Sequence, residues 1–292
     1  MTRLEPDHVS EGTPLLRVQN LRKRYNVPGG GRGDDFFAVD DVSFHLVAAG
    51  SLGIVGESGS GKTTIAKMLV GLERPTGGTI VVDGIDRSAP TSRSRIRRAR
   101  GREIQIVFQE PFTSLDRRQT VAACLAEIIN LHFDRTPAQV ETRVQELATL
   151  VGLDERQLHS RPRGLSGGQC QRVGIARALA AEPRILVLDE SVAALDVSIQ
   201  AQILNLLTDI REQTAIAYLF ISHDLAVIRQ VTDHTIVMQR GRIVESGPTA
   251  SVLDHPESDY TRLLLDSVPR PGWKPGSRTG AVPLPPSSQL KE

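Results

Sequence analysis

Gly56-Glu57-Ser58-Gly59-Ser60-Gly61-Lys62-Thr63-Thr64 is the stretch on which the reading of this chain turns. The apolar run Leu52-Gly53-Ile54-Val55 precedes it and the helical pattern Ile65, Met68, Leu69 follows, so the spacing G-x-x-x-x-G-K-[ST] falls between a strand and a helix. Glycines there let consecutive backbone N–H groups converge on one point, and the helix beyond aims its positive end at the same place. A polyphosphate suits that arrangement. Lys62 supplies a point charge for β- and γ-phosphates, and the Thr63 hydroxyl is placed to coordinate a Mg²⁺ that bridges them. By itself the loop implies only that a nucleoside triphosphate binds.

The sequence around the loop alternates strand and helix. Leu15 to Tyr25 reads as a strand with a basic end, and Phe37 to Leu46 as a strand with a turn. After the Lys62 helix come the turn Pro75-Thr76-Gly77-Gly78, an edge strand over residues 79–84, and the buried strand Ile104 to Phe108. From Thr120 to Gly152 the apolar spacing becomes helical: Val121, Leu125, Ile128 and Ile129, then Val140, Val144, Leu147 and Leu150. A helix over Gln171 to Ala181 is stopped by Pro183. The fully apolar strand Ile185 to Leu188, the helix carrying Ile199, Ile203, Leu207 and Ile210, and the strand Ala217 to Ser222 follow. A hairpin turns at Arg240-Gly241. The order implies an α/β fold with a mostly parallel sheet covered on both faces, antiparallel edge strands and an inserted helical subdomain at about 110–170. Residues 1–14 read as a flexible tail, and residues 270–292, rich in Pro, Ser and Gly, as disordered.

Composition narrows the function classes. A formal net charge of +1 gives no field that would draw the whole molecule to nucleic acid, and aromatics are few, so no nucleic-acid partner is expected. The basic run Arg93 to Arg102 reads as a solvated helical face. Cys124 and Cys170 are too few and too isolated for a disulfide framework, which suits a reducing compartment. No apolar run of about eighteen residues occurs, and Met1-Thr2-Arg3-Leu4-Glu5-Pro6-Asp7 is no signal peptide, so the chain is expected neither to span a membrane nor to be exported.

Two more stretches carry chemistry. The strand Ile185 to Leu188 delivers Asp189-Glu190 at its carboxyl end, where open α/β sheets place their ligands. Asp189 is the expected metal-side carboxylate, and Glu190 the base that orients or deprotonates the attacking water. Upstream, Leu165-Ser166-Gly167-Gly168-Gln169 leads into a helix and forms a second anion site: a hydroxyl, two glycines with approachable N–H groups, and a helix N-terminus behind them.

Ser166 to Gln169, together with the phosphate loop and Asp189-Glu190, resembles the signature of ATP-binding-cassette (ABC) ATPases, a branch of the P-loop nucleoside triphosphatases, and the resemblance covers about 15–269. It implies ATP and Mg²⁺ as ligands. It also implies that the signature of one chain closes over the γ-phosphate held by a second ATPase subunit, identical or paralogous. It further implies that Tyr25 stacks on adenine, that Gln109 reaches the Mg²⁺ and the attacking water while residues 110–115 touch a membrane subunit, that residues 193–196 form the D-loop, and that His223 bonds the γ-phosphate. Ser191, Ala193 and Cys170 depart from the family pattern, and Ala193 removes a hydroxyl expected to cross the dimer.

The segment His255 to Pro269, the run Phe108 to Leu115 and the run Asp196 to Gln202 resemble the oligopeptide/dipeptide/nickel importer branch. The expected division is an ATPase domain at 15–250 and a C-terminal extension at 251–269. The implied partners are two transmembrane permease subunits and, indirectly, an extracytoplasmic solute-binding protein. The implied location is peripheral, on the cytoplasmic face of the membrane. A nickel or other small-solute importer, and a soluble cassette ATPase away from membranes, stay open as alternatives at this point.

Overall fold

The computed structural model describes residues 14–26, 36–89, 91–109, 115–192 and 195–267. Two sheets form the frame. The first is antiparallel, in the order β2 (Phe36–Val47), β1 (Pro14–Tyr25), β4 (Gly77–Val82), β5 (Ile85–Asp86). The second runs β10 (Arg242–Pro248), β9 (His234–Gln239), β3 (Ser51–Val55), β8 (Ala217–Ser222), β7 (Ile185–Asp189), β6 (Ile104–Val107). All neighbouring pairs in it are parallel except β9 with β10. The α/β class with an antiparallel edge is thus borne out.

The central strands are buried on both faces, which explains their unbroken apolar runs. Ile185 and Val187 of β7, with Leu219 and Ile221 of β8, join Leu16, Val18 and Leu21 of β1 and Ile65 in one core cluster. Leu186 and Leu188, with Tyr218 and Phe220, face the other way into a second cluster that also takes in the helices between 121 and 231.

Those helices are defined by their caps. Helix α1 is Lys62–Leu69, and α2, Ser94–Glu103, has no buried residue, as expected for the basic run. Helices α3 (Val121–His132), α4 (Pro137–Val151) and α5 (Glu155–His159) are capped by Thr120, Thr136 and Asp154, whose side chains each accept the backbone N–H of the third helical residue. Val121, Leu125 and Ile129 of α3 and Val140, Val144 and Leu147 of α4 are the buried stripe that the spacing predicts. Then follow α6 (Gly167–Leu179), α7 (Val197–Thr214), α8 (Leu225–Val231), α9 (Thr249–Asp254) and α10 (Asp259–Ser267).

Two local expectations change. β4 is not an edge strand: Asp83 and Gly84, both at positive φ (51° and 75°), turn the chain back so that Ile85-Asp86 pairs along its outer side. Helix α6 starts at Gly167 rather than Gln171, because Ser166 and Gln169 cap it reciprocally, a signal that apolar spacing does not carry. Leu263 is 62% exposed, whereas Leu264 and Leu265 pack on the core.

Candidate nucleotide site

Parallel register brings the functional side chains to one edge of the sheet. Val55 pairs with Ser222, Asp189 with Ile221 and Val107 with Leu188, so the carboxyl ends of β3, β8, β7 and β6 lie side by side. From those ends emerge Gly56, His223, Asp189-Glu190 and, two residues past β6, Gln109, which is exposed.

The phosphate loop is shaped by its glycines. Gly56, Gly59 and Gly61 have φ of 151°, 80° and 104°. A β-carbon on Gly56 would collide with the Met238 carbonyl oxygen of β9, and one on Gly61 with the Ala38 carbonyl oxygen of β2, so backbone is pressed against the loop from both sides. The Gly241 amide donates to Ser60 O at 3.0 Å and ties the β9–β10 turn to the loop. Helix α1 has no side-chain cap and no acidic residue in its first turn, which leaves its positive end free to face an anion.

Lys62 is 4% exposed. Its Nζ donates to Gly56 O at 2.7 Å and Glu57 O at 2.8 Å, with Ser60 Oγ at 3.4 Å. Burial pushes the ammonium below the usual lysine range, against the pull of Glu190, Asp189 and Glu57. The Thr63 hydroxyl donates to Asp189 Oδ1 at 3.2 Å. Asp189 is also buried, and burial raises its carboxyl above the usual range, opposed by the Thr63 hydrogen bond and by Lys62 and Lys67, while Glu190 adds to the rise. Glu190 sits at φ 48°, its amide donating to Ile221 O at 2.8 Å and its Oε1 lying 3.4 Å from His223 Nδ1.

These residues suit a magnesium-bound nucleoside triphosphate. The loop excludes side chains at Gly56 and Gly61, Lys62 holds carbonyl oxygens where it could hold phosphate oxygens, and Thr63 with Asp189 offers a hard oxygen pair at a carboxylate that burial disfavours as a bare anion. Tyr25 ends β1, is 38% exposed, and has Lys23 Nζ 4.8 Å from its ring centroid. It pairs with Phe36, two residues before the Ala38 carbonyl that abuts Gly61, so the first sheet carries it to the loop's neighbourhood.

Ser166 to Gln169 is a separate station. Ser166 Oγ accepts from Gln169 N at 3.3 Å, and Gln169 Oε1 accepts from Ser166 N at 2.8 Å. Gly168 packs so closely on Ile199 that a β-carbon there would lie 2.6 Å from its Cγ2. Among the described residues no hydrogen bond or ion pair joins this turn to the phosphate loop, and Ser166 is exposed. Of the departing positions, Ser191 and Cys170 are buried, and the Cys170 thiol is pushed up to about 11 by burial. Ala193, Ala194 and residues 110–114 lie outside the described residues, while Leu115 is buried and Asp196 is exposed at the start of α7. Sequence reasoning assigned no site role to Tyr260, whose hydroxyl accepts a hydrogen bond from the Glu57 amide. No motif announces a contact across that separation.

Fold and loop together define a phosphate-binding-loop nucleoside triphosphatase built as an ATP-binding cassette. The chain belongs to the ABC transporter family, whose model matches residues 39–193. It is 42% identical over 259 residues to the oligopeptide transport ATP-binding protein OppF of Lactococcus lactis, covering 87% of this chain and 80% of that one. It is also 42% identical over 271 residues to the glutathione import ATP-binding protein GsiA of Escherichia coli, covering 91% of this chain but 43% of that relative. Among solved structures, the dimeric ATP-binding cassette MJ0796 in a post-hydrolysis state with ADP and phosphate superposes with a TM-score of 0.71 at 27% identity, covering 80% of this chain and 98% of that one.

Proposed function

We propose that this chain is the ATP-hydrolysing subunit of an ABC importer that takes up peptides. The observation that carries the hydrolytic half is the gathering of Lys62, Thr63, Asp189, Glu190 and His223 at one sheet edge. Likeness to OppF over most of both chains supports the transport half.

In this reading Lys62 exchanges its own loop carbonyls for β- and γ-phosphate oxygens, and the N–H groups of the loop and of α1 receive the rest of the phosphate charge. Thr63 and Asp189, with Gln109, hold the magnesium, which when bound neutralises charge developing on the transferred phosphoryl group. Glu190 accepts a proton from water as its oxygen bonds to the γ-phosphorus and the bond to the bridging oxygen of ADP breaks. His223, beside Glu190, steadies that carboxylate and reaches the γ-phosphate. Tyr25 stacks on adenine, worth about 1–3 kcal/mol. Ser166, Gly167, Gly168 and Gln169 of a second ATPase subunit complete the site, so that bound ATP favours the closed pair over the open one.

The remaining partners are two permease subunits, contacted around residues 110–115, and an extracytoplasmic binding protein that presents the peptide. No helix among the described residues is long and apolar enough to cross a membrane, in keeping with peripheral attachment at its cytoplasmic face. We divide the chain into an ATPase domain at 15–250, with a helical subdomain at about 110–170, and a C-terminal element at 251–269. The test is purification from membranes: integral permease subunits should accompany the chain and its ATP hydrolysis. Recovery only with DNA or ribosomes would refute the transport role.

A further inference from the structure

The peptide unit joining Gly56 to Glu57 is held at both of its polar ends. Its carbonyl oxygen accepts from Lys62 Nζ at 2.7 Å, and its amide donates to the Tyr260 hydroxyl at 3.2 Å. A trans peptide points these two groups in opposite directions, so the two side chains grip it from opposite sides. Gly56, at φ 151° and with no β-carbon, cannot resist rotation of that plane itself.

Tyr260 comes from α10, 203 residues away. Tyr260 is 8% exposed and belongs to the larger core cluster, and burial raises its phenol above the usual range, so it stays protonated at neutral pH. The helix is pinned in turn: Glu245 of β10 accepts from Glu257 N at 2.8 Å and Ser258 N at 3.2 Å, just ahead of it.

We infer that Tyr260 is a positioning residue for the phosphate loop, through which the C-terminal element sets nucleotide affinity. This rests on the proposed nucleotide role of the loop. When Lys62 turns from the Gly56 carbonyl to phosphate, one of the two grips is released, and the Tyr260 hydroxyl then holds the plane of the first loop peptide. Without it that peptide rotates, and the loop N–H groups lose their convergence on the phosphates.

The test uses the full chain and the variant Tyr260→Phe, which keeps the ring and its packing. Dissociation constants are measured for ATP, ADP and adenosine with magnesium, together with KM and kcat and the hydrogen-exchange rate of the Glu57 amide without nucleotide. Loss of one neutral hydrogen bond predicts a roughly 3- to 10-fold rise in the ATP and ADP constants and in KM, with kcat and adenosine binding nearly unchanged and Glu57 exchange faster. ATP affinity within twofold of the parent, or an equal loss for adenosine, overturns the inference. Wild-type protein that binds no ATP would instead refute the nucleotide role, and the exchange data would still judge the grip. Should the variant fold poorly, exchange in the unmodified chain decides: a Glu57 amide as unprotected as a free loop amide contradicts the grip.

Discussion

The Thr63 hydroxyl donates to Asp189 Oδ1 at 3.2 Å across 126 residues of sequence, joining the phosphate loop to the carboxyl end of β7. The pairing matters because burial already disfavours the Asp189 carboxylate, and the hydroxyl is the strongest influence opposing that. Thr63→Val keeps the shape and removes the donor. The expected cost is about 1 kcal/mol of stability in thermal melts and at least a tenfold loss of magnesium-dependent ATP binding, with binding in chelator changed less.

Glu190, the proposed base, has His223 Nδ1 3.4 Å from its carboxylate. Glu190→Gln should bind ATP with unchanged affinity in equilibrium titration while steady-state hydrolysis falls about 10²- to 10⁴-fold. Turnover within tenfold of the parent would move the base to another residue.

Much of this site was legible because local chemistry dictates it. Gly56, Gly59 and Gly61 answer backbone conformations that strain other residues, and the run Ile185 to Leu188 is apolar throughout because both faces are buried. His223 was legible only by resemblance, since one histidine after one strand says nothing until β8 lies beside β7. The start of α6 is missed when only apolar period is followed, although Ser166 and Gln169 stand at the three-residue separation of a capping box. Tyr260 was hidden because its partner is a backbone amide, which leaves no mark on residue choice at position 57.

Ser166 has two roles that substitution can part. Its Oγ caps α6, so Ser166→Ala should cost about 1 kcal/mol in chemical denaturation. Ser166→Asp retains a capping acceptor and should melt close to the parent, yet it places a negative charge where a neighbouring chain's γ-phosphate is expected. ATP-driven association should be lost in the aspartate variant while ATP binding to the monomer survives, as measured by sedimentation and by titration.

Cys170 is buried, its Sγ donates to Pro162 O at 3.6 Å, and its thiol is raised to about 11. At pH 8 about one thiol in a thousand is ionised, so alkylation of the folded protein should be slow and should speed up on denaturation. Because the folded value lies above the unfolded one, its contribution to stability is complete below about pH 9 and is lost as pH rises towards 11. Cys170→Ala should flatten that alkaline decline in melting temperature.

The most direct measurement is the mass of the Glu190→Gln protein by light scattering, with magnesium and with or without saturating ATP. The account predicts a shift from one chain to two on adding ATP, abolished when Ser166→Asp is added to the same protein. A single-chain mass at saturating ATP, with binding confirmed in the same sample, would contradict a site completed by a second copy of this chain.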